Sequence, residues 1–244
     1  MSIIRVEVEF LEGVLGSQSN NPDIYADFIG SKAPTADTLD EELEAIENVD
    51  TPEIDSKGIT VFPRLPDGTP FLYDYQIKGF FKDTCGVLNK LTGKDPATGK
   101  KGKAVNESSK IAQYKKVIDG LIFVQPRKIP FKIGDRFATP DDLTMCQRPL
   151  RAQTMKGERV ALACSEEIPK GAKISFLVDC QNPEHVPAVV EWLKQGFMRG
   201  LSQWRNSGKG RFVFTAIDDN GKVLADNMFL KETYDPYANG VGGK

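Results

Sequence analysis

The fold of this chain is constrained most by the order of its periodic hydrophobic segments. Four short segments have the alternating or fully apolar pattern of β-strands: residues 3–11, 121–124, 172–180 and 211–217. Two longer segments repeat apolar residues at helical spacing: residues 76–91 and 184–198. Side chains alternate across a strand but recur every three to four residues on a helix face, so the two periods indicate different elements. In chain order the segments predict strand, helix, strand, strand, helix and strand.

Strands and helices in this order form the β-α-β-β-α-β motif, which is the ferredoxin-like arrangement. We therefore predict an α+β fold with a ferredoxin-like core. Large insertions separate the core elements, at residues 17–72, 92–118 and 126–170. The chain of 244 residues is long enough to bury a proper core, and we expect residues 1–244 to form a single domain.

Composition argues against several classes of protein. No apolar run reaches the roughly 18–20 residues that a membrane-spanning helix needs, and the first residues lack the apolar segment of a signal peptide. The four cysteines are far apart, without a Cys-x-x-Cys pair, and His185 is the single histidine. This pattern argues against a zinc site and a disulfide scaffold, and it suits a reducing compartment. We expect a cytoplasmic protein without a membrane partner, a metal or a cofactor.

The net charge of −2 conceals a strong asymmetry along the chain. Residues 1–55 contain 14 acidic and 2 basic residues, a balance of −12, whereas residues 56–244 have a balance of +10. Such an asymmetry is a recognised sign of nucleic-acid binding. The alternative is that an acidic helix packs against a basic face of its own domain, and both interpretations stay open.

Most of these acids lie in residues 35–55, where a thin apolar stripe of Leu39, Leu43 and Ile46 predicts a charged amphipathic helix. Clustered carboxylates can also hold a metal ion. Without a neighbouring histidine or the spacing of an EF-hand, however, they favour a solvated helix face.

The stretch from Arg199 to Phe214 is the strongest candidate for a binding site. It interleaves three glycines with four cations and one tryptophan: Gly200, Gly208, Gly210, Arg199, Arg205, Lys209, Arg211 and Trp204. Glycine lets the backbone adopt positive φ and approach a ligand closely, the cations suit phosphate groups, and the indole offers a stacking surface. A basic glycine loop between a helix and a strand therefore predicts a polyanion site. The alternative is a solvated turn whose cations only keep the protein soluble.

Three further cations are candidates to extend this site: Lys78, Arg148 and Arg151. We expect Lys78 and Gly79 to lie in the first turn of the helix over residues 76–91, where free backbone N–H groups attract anions. The alternative for Gly79 is close packing of this helix on a sheet. Arg148 and Arg151 lie in a predicted β-hairpin that turns at Lys156 and Gly157.

These motifs resemble the RAMP superfamily, the repeat-associated RNA-binding proteins of CRISPR effector complexes, and its backbone-subunit branch looks closest. Gly200-Leu201 and Gly208-Lys209-Gly210-Arg211-Phe212 are similar to the glycine-rich loop of that superfamily. Tyr75-Gln76-Ile77-Lys78-Gly79 is similar to the stretch where those proteins begin their first helix with a Lys-Gly pair. The resemblance implies single-stranded RNA and CRISPR effector subunits as partners, in antiviral defence. Residues 25–34 and 201–212 also resemble a group of phage- and prophage-encoded proteins, which implies no particular activity.

Three functions follow as hypotheses. The first is non-catalytic binding of single-stranded nucleic acid, RNA more than DNA, by the glycine loop with Lys78, Arg148 and Arg151 extending the groove. The second is an RNA endonuclease, for which Asp23, Asp27 and His185 are candidates without a recognisable motif, and His185 better suits helix capping or packing. The third is a phage-encoded protein that assembles with copies of itself or inhibits a partner through its acidic region. We favour the first hypothesis and assign no catalytic residue.

Overall fold

The structure is a computed structural model that describes residues 1–20, 59–91, 106–154 and 157–234. The predicted acidic helix of residues 35–55 and the candidate acids Asp23 and Asp27 lie outside the described residues. In the described part the chain forms a mixed fold of helices and sheets, as the sequence predicts.

The first strand, β1 (Ser2–Phe10), lies in the middle of the main sheet because it pairs along both edges. It runs antiparallel to β12 (Lys173–Cys180) on one side and to β13 (Phe212–Asp218) on the other. Strand β6 (Ile122–Gln125) pairs antiparallel with the far edge of β12. The four strands therefore lie in the order β13-β1-β12-β6, and each neighbouring pair is antiparallel.

Two helices cover one face of this sheet. The alternating residues Ile4, Val6 and Val8 of β1 are buried on that face. Against them pack α1 (Asp74–Leu88) and the helical segment formed by α3 (Val186–Lys194) and α4 (Gly196–Arg199), with the short α2 (Tyr114–Leu121) beside α1. Burial of their large apolar side chains is the main driving force for the fold, since each is worth about 1.5–3 kcal/mol.

A second sheet, built largely from the insertions, lies beside the first. It contains β2 (Val14–Leu15), β3 (Gln18–Ser19), β4 (Ile59–Val61), β10 (Thr144–Thr154) and β11 (Gly157–Ile168). Strands β10 and β11 form a long antiparallel hairpin, which confirms the pairing predicted around residues 156–157. The strand order is β10-β11-β4-β3, with β2 paired to β11, so this hairpin is anchored to residues 14–15 and 59–60.

Short strands complete the described part of the chain. Strand β5 (Phe71–Tyr73) pairs with β7 (Lys128–Pro130), while β8 (Lys132–Ile133), β9 (Arg136–Phe137) and β14 (Val223–Asp226) extend the main sheet at its edges. A last short helix, α5, spans Leu230–Tyr234. In the described residues no helix is long and apolar enough to cross a membrane.

The six predicted core elements are all present, with ends displaced by a few residues. The segment after Pro130 holds the short strands β8 and β9, where the sequence indicates a loop up to about Cys146. Such two-residue strands are fixed by their partners and leave almost no periodic signal. That residues 1–244 form one domain stays a prediction.

Replacement of Trp192 by alanine should lower the free energy of unfolding by about 3–5 kcal/mol, because it removes a large buried side chain from a close-packed core. The indole of Trp192 is 0% exposed, lies 5.4 Å from the Phe81 ring and donates a 2.8 Å hydrogen bond to Ser108 Oγ. Urea denaturation provides the measurement. Val223→Ala on β14, where the side chain is 53% exposed, is the control and should stay within about 0.5 kcal/mol of the parent. Equal losses in both variants would contradict this packing.

Candidate nucleic-acid interface

The glycine loop, defined here as Gly200–Arg211, connects α4 to β13. Its backbone adopts positive φ at the glycines Gly200, Gly208 and Gly210 and also at two residues that are not glycine, Ser202 (φ 70°) and Trp204 (φ 53°). A side chain at positive φ is strained by about 1–3 kcal/mol, and such strain persists only where surrounding contacts hold the backbone. The loop therefore has a conformation imposed by its neighbours.

Two of the glycines close the loop on itself. A Cβ atom at Gly210 would lie 1.9 Å from the carbonyl oxygen of Leu201, and one at Gly200 would lie 2.4 Å from that of Lys209. The two sides of the loop are joined by a 2.8 Å hydrogen bond from Leu201 N to Gly210 O. The sequence predicts that these glycines allow close approach to a ligand, whereas Gly200 and Gly210 allow close approach of the loop to itself. At Gly208 the nearest atom to an added Cβ is 3.7 Å away, on Arg211.

An exposed indole lies over a buried guanidinium at the tip of the loop. Trp204 is 38% exposed, and the guanidinium carbon of Arg148 lies 5.3 Å from the centre of its ring. Arg148 is only 7% exposed and donates hydrogen bonds to Ser165 Oγ (3.1 Å) and Gln203 Oε1 (2.8 Å), both neutral. Among the side chains that the structure describes, no carboxylate forms an ion pair with Arg148. Within the described residues this cation therefore has neutral hydrogen-bond partners and lies beneath an accessible aromatic ring.

Two other arginines of the site meet at a single carboxylate on α1. Arg199 Nη2 and Arg205 Nη1 each lie 2.7 Å from Oδ2 of Asp83. Partial burial raises the pKa of Asp83, but the hydrogen bonds from Arg199 and Arg205 outweigh this and hold the pKa below its ordinary value of 3.8. Asp83 is therefore ionised at neutral pH, and both guanidiniums are engaged by the protein.

The remaining two cations of the loop lie beside polar groups of the protein. Lys209 Nζ lies 2.6 Å from Glu167 Oε1 on β11. The guanidinium of Arg211 lies near Tyr234, whose hydroxyl donates a hydrogen bond to Glu12 Oε1 at 2.9 Å. Burial, followed by the contact with Glu12, raises the pKa of Tyr234. These contacts attach the loop to the second sheet and to α5.

A cleft of about 220 Å³ separates the loop from the exposed side of α1. Its lining residues come from three parts of the chain: Ser17, Gln76, Gly79, Phe80, Asp83, Leu201, Ser202, Gln203 and Arg205. A wider hollow of about 340 Å³ continues along Ser202–Asn206 and includes Trp204. The two spaces share Ser202, Gln203 and Arg205 among their lining residues, so they adjoin one another along the loop.

The structure corrects the placement of Lys78 and Gly79. Because α1 begins at Asp74, both residues lie beyond the first turn. Their backbone N–H groups are therefore bonded within the helix and are not free to bind an anion. Gly79 lines the cleft, but Lys78 faces away from the loop: its Nζ is 3.3 Å from the carbonyl oxygen of Asp119 and 4.9 Å from the centre of the Phe123 ring. Arg151 lies on β10, three residues beyond Arg148, where its backbone pairs with Val160.

Sequence reasoning missed the residues that organise these cations: Asp83, Gln203, Ser165 and Glu167. They belong to α1, the loop and β11, and only folding brings them together. No spacing of residues in the sequence therefore indicates them. His185 ends the 3-10 turn Pro183–His185 that precedes α3 and does not line the cleft. In the described part of the chain no three of the His, Cys, Asp and Glu side chains are grouped to hold a metal ion.

Comparison with known proteins finds a similarity among solved structures. No family model matches the sequence, and no curated protein is similar to it. Among solved structures, a similar chain occurs in the cryo-EM structure of the Type III-B Cmr-beta bound to cognate target RNA, with a TM-score of 0.45 and 10% sequence identity. The similarity covers 86% of the present chain and 57% of that chain, so the present chain spans little more than half the length of its neighbour. A function therefore has to be inferred from the contacts of the loop and the cleft.

Gly210→Ala should destabilise the protein considerably more than Gly208→Ala. Both positions have positive φ, so both variants incur the backbone strain of about 1–2 kcal/mol, but at position 210 the new methyl group also collides with Leu201 O. Urea denaturation of the two variants isolates the collision, since the backbone term is common to both. Equal free energies of unfolding would show that the two sides of the loop are not in contact.

The ion pairs of Asp83 predict a defined pH dependence. A carboxyl whose folded pKa is depressed stabilises the protein above its unfolded pKa, and this contribution is lost as the pH falls through the folded pKa. The parent should therefore be more stable than Asp83→Asn at pH 7, and the difference should shrink as the pH falls below about 4. Denaturation curves of both proteins from pH 7 to pH 3 test this, and a difference that grows on acidification would contradict it.

Proposed function

We propose that this protein is a non-catalytic binding protein for single-stranded nucleic acid, and that the ligand lies in the cleft and across Trp204. The observation that carries the proposal is the Arg148–Trp204 pair, in which a buried guanidinium, whose hydrogen-bond partners among the described residues are neutral, lies 5.3 Å from the centre of an exposed indole ring. Single-stranded nucleic acid offers an anionic backbone to the guanidinium and planar bases to the indole.

The physical basis is a combination of charge and stacking. A cation that is removed from water without a neutralising partner is unfavourable, so Arg148 favours an anion close by. Contact with the guanidinium holds the indole in place, which leaves its exposed surface available for a base at little cost in conformational entropy. Polar side chains of Gln203 and Arg205 line the path between this ring and α1.

The fold and the position of the loop support a RAMP-type assignment within this proposal. The strand order β13-β1-β12-β6, with α1 and α3 on one face, supports the ferredoxin-like core that the sequence predicts. The glycine loop lies between the second core helix and the last core strand, where the resemblance to the RAMP superfamily expects it. The preference for RNA over DNA and an association with CRISPR effector subunits rest on that resemblance and stay predictions.

Binding without catalysis is favoured by the state of the acid in the cleft. Asp83 accepts hydrogen bonds from two guanidiniums and has a lowered pKa, which makes it a poor general base near pH 7. An endonuclease that uses Asp23 or Asp27, and assembly through the acidic region, stay predictions about residues outside the described part.

Trp204→Ala should weaken binding of a single-stranded RNA oligonucleotide about 5- to 150-fold, the range expected when one stacked base loses its aromatic partner. Trp204→Phe should retain part of the affinity, since a smaller ring still stacks. Fluorescence anisotropy with a labelled 12-nucleotide oligo(U) at low salt gives the dissociation constants. Affinity of the parent should also fall with salt, with a slope of about −0.7 per phosphate contact.

Phe137→Ala is the matched control, because it removes an aromatic side chain that is 51% exposed on β9, at the edge of the main sheet beyond β12. Its affinity should equal that of the parent. Equal losses in Trp204→Ala and Phe137→Ala, or an absence of binding by the parent at low salt, would contradict the proposal. Melting temperatures of all variants separate loss of binding from loss of folding.

A further inference from the structure

Asp83 holds the guanidiniums of Arg199, at the end of α4, and Arg205, in the glycine loop, in a geometry that resembles phosphate binding. Arg199 and Arg205 approach the same oxygen atom, Asp83 Oδ2, each at 2.7 Å. Arginine makes short charge-assisted hydrogen bonds of this kind to carboxylate and phosphate oxygens alike. Arg199 comes from the end of α4 and Arg205 from the 3-10 turn Arg205–Ser207 within the loop.

A ligand in the cleft can reach this cluster from solvent. The side chains of Arg199, Arg205 and Asp83 are 31%, 35% and 35% exposed, so none of the three is sealed in the core. Asp83 and Arg205 both line the cleft, next to Gly79, where the absence of a side chain leaves open space around the helix. Exposed ion pairs of this kind are weak, and another anion can therefore replace the carboxylate.

We infer that Asp83 occupies the position of one backbone phosphate of the nucleic acid, and that binding releases Arg199 and Arg205 from it to contact that phosphate. The inference rests on the proposed function and adds to it a named phosphate position and a residue that sets affinity. In the free protein the carboxylate lowers the effective positive charge of the cleft. In the complex it competes with the phosphodiester for Arg199 and Arg205, so it weakens binding. It also reduces the number of cations that contact phosphate, and therefore the salt dependence of the affinity.

The opposite role is also testable with the same residue. If Asp83 only positions the two arginines for the ligand, its removal leaves them disordered and weakens binding. If it competes with phosphate, its removal frees both arginines and strengthens binding. The sign of the change therefore distinguishes competition from positioning.

The experiment compares the parent, Asp83→Asn and a control, Asp135→Asn, with labelled 12-nucleotide oligo(U) over a salt series. Asp135 is an exposed acid in the turn between β8 and β9, so the control changes the net charge by the same amount away from the cleft. We expect Asp83→Asn to bind roughly 3- to 30-fold more tightly than the parent at low salt. The plot of log affinity against log salt should steepen by about 0.7 for each cation released. Asp135→Asn should change affinity less than about 2-fold.

A second comparison keeps the inference testable if Asp83→Asn is less stable. Arg199→Gln should weaken binding only slightly in the parent, where Arg199 is partly held by Asp83, and clearly more in the Asp83→Asn background. Equal effects of Arg199→Gln in both backgrounds would overturn the inference. So would an affinity of Asp83→Asn equal to that of Asp135→Asn, or below that of the parent.

These outcomes are separate from failure of the proposed function. If the parent binds oligo(U) and Trp204→Ala binds it more weakly, but Asp83→Asn matches Asp135→Asn, only the role of Asp83 is wrong. If neither the parent nor Asp83→Asn binds at low salt, the proposed function is wrong and the phosphate position is wrong with it.

Discussion

The antiparallel pairing of β1 with both β12 and β13 is the constraint on which the rest of the structure depends. It fixes β13 at one end of the glycine loop. The other end is fixed by contact between α4 and β13: a Cβ atom at Gly196 would lie 2.1 Å from the Phe212 ring. With both ends held, the loop has to bend sharply. Its positive φ angles at Ser202 and Trp204 are the consequence, and they place the indole outside the core.

Electrostatics in this region is governed by pairing between distant segments. The long β10–β11 hairpin brings Glu167 to Lys209 and Arg148 to Trp204, while α1 brings Asp83 to Arg199. Most cations of the loop are therefore occupied in the free protein, and the local density of positive residues overstates the charge available to a ligand. Arg148 differs because its described partners, Ser165 and Gln203, are neutral. Among the described residues the site therefore combines Arg148 with three cations that carboxylates hold, Arg199, Arg205 and Lys209.

The periodic elements could be predicted because their cause is local. In β1 and β12 the alternation of buried and exposed residues follows an alternation of apolar and polar residues in the sequence. In α1 and α3 the apolar residues recur at helical spacing. The glycine loop could also be predicted, because its glycines, its cations and Trp204 are close together in the sequence. The two-residue strands β8 and β9 could not, since each forms only because a partner strand lies beside it. The helix α1 begins at Asp74, two residues before the start that the apolar spacing predicts. A hydrogen bond from Tyr73 N to the Gln76 side chain caps the helix there, and apolar spacing does not report such a cap.

The sequence by itself determined the order of the core elements, the mixed helix-and-sheet architecture and the location of a basic, glycine-rich loop before the last core strand. Only the tertiary structure decided the use of that loop. Gly200 and Gly210 serve contacts within the loop, Lys78 faces α2 and β6, and Asp83 joins the site from α1. The physical reason is that periodicity acts between neighbours in the chain. Ion pairs and close backbone approaches act between residues that are near only in space, such as Asp83 and Arg205.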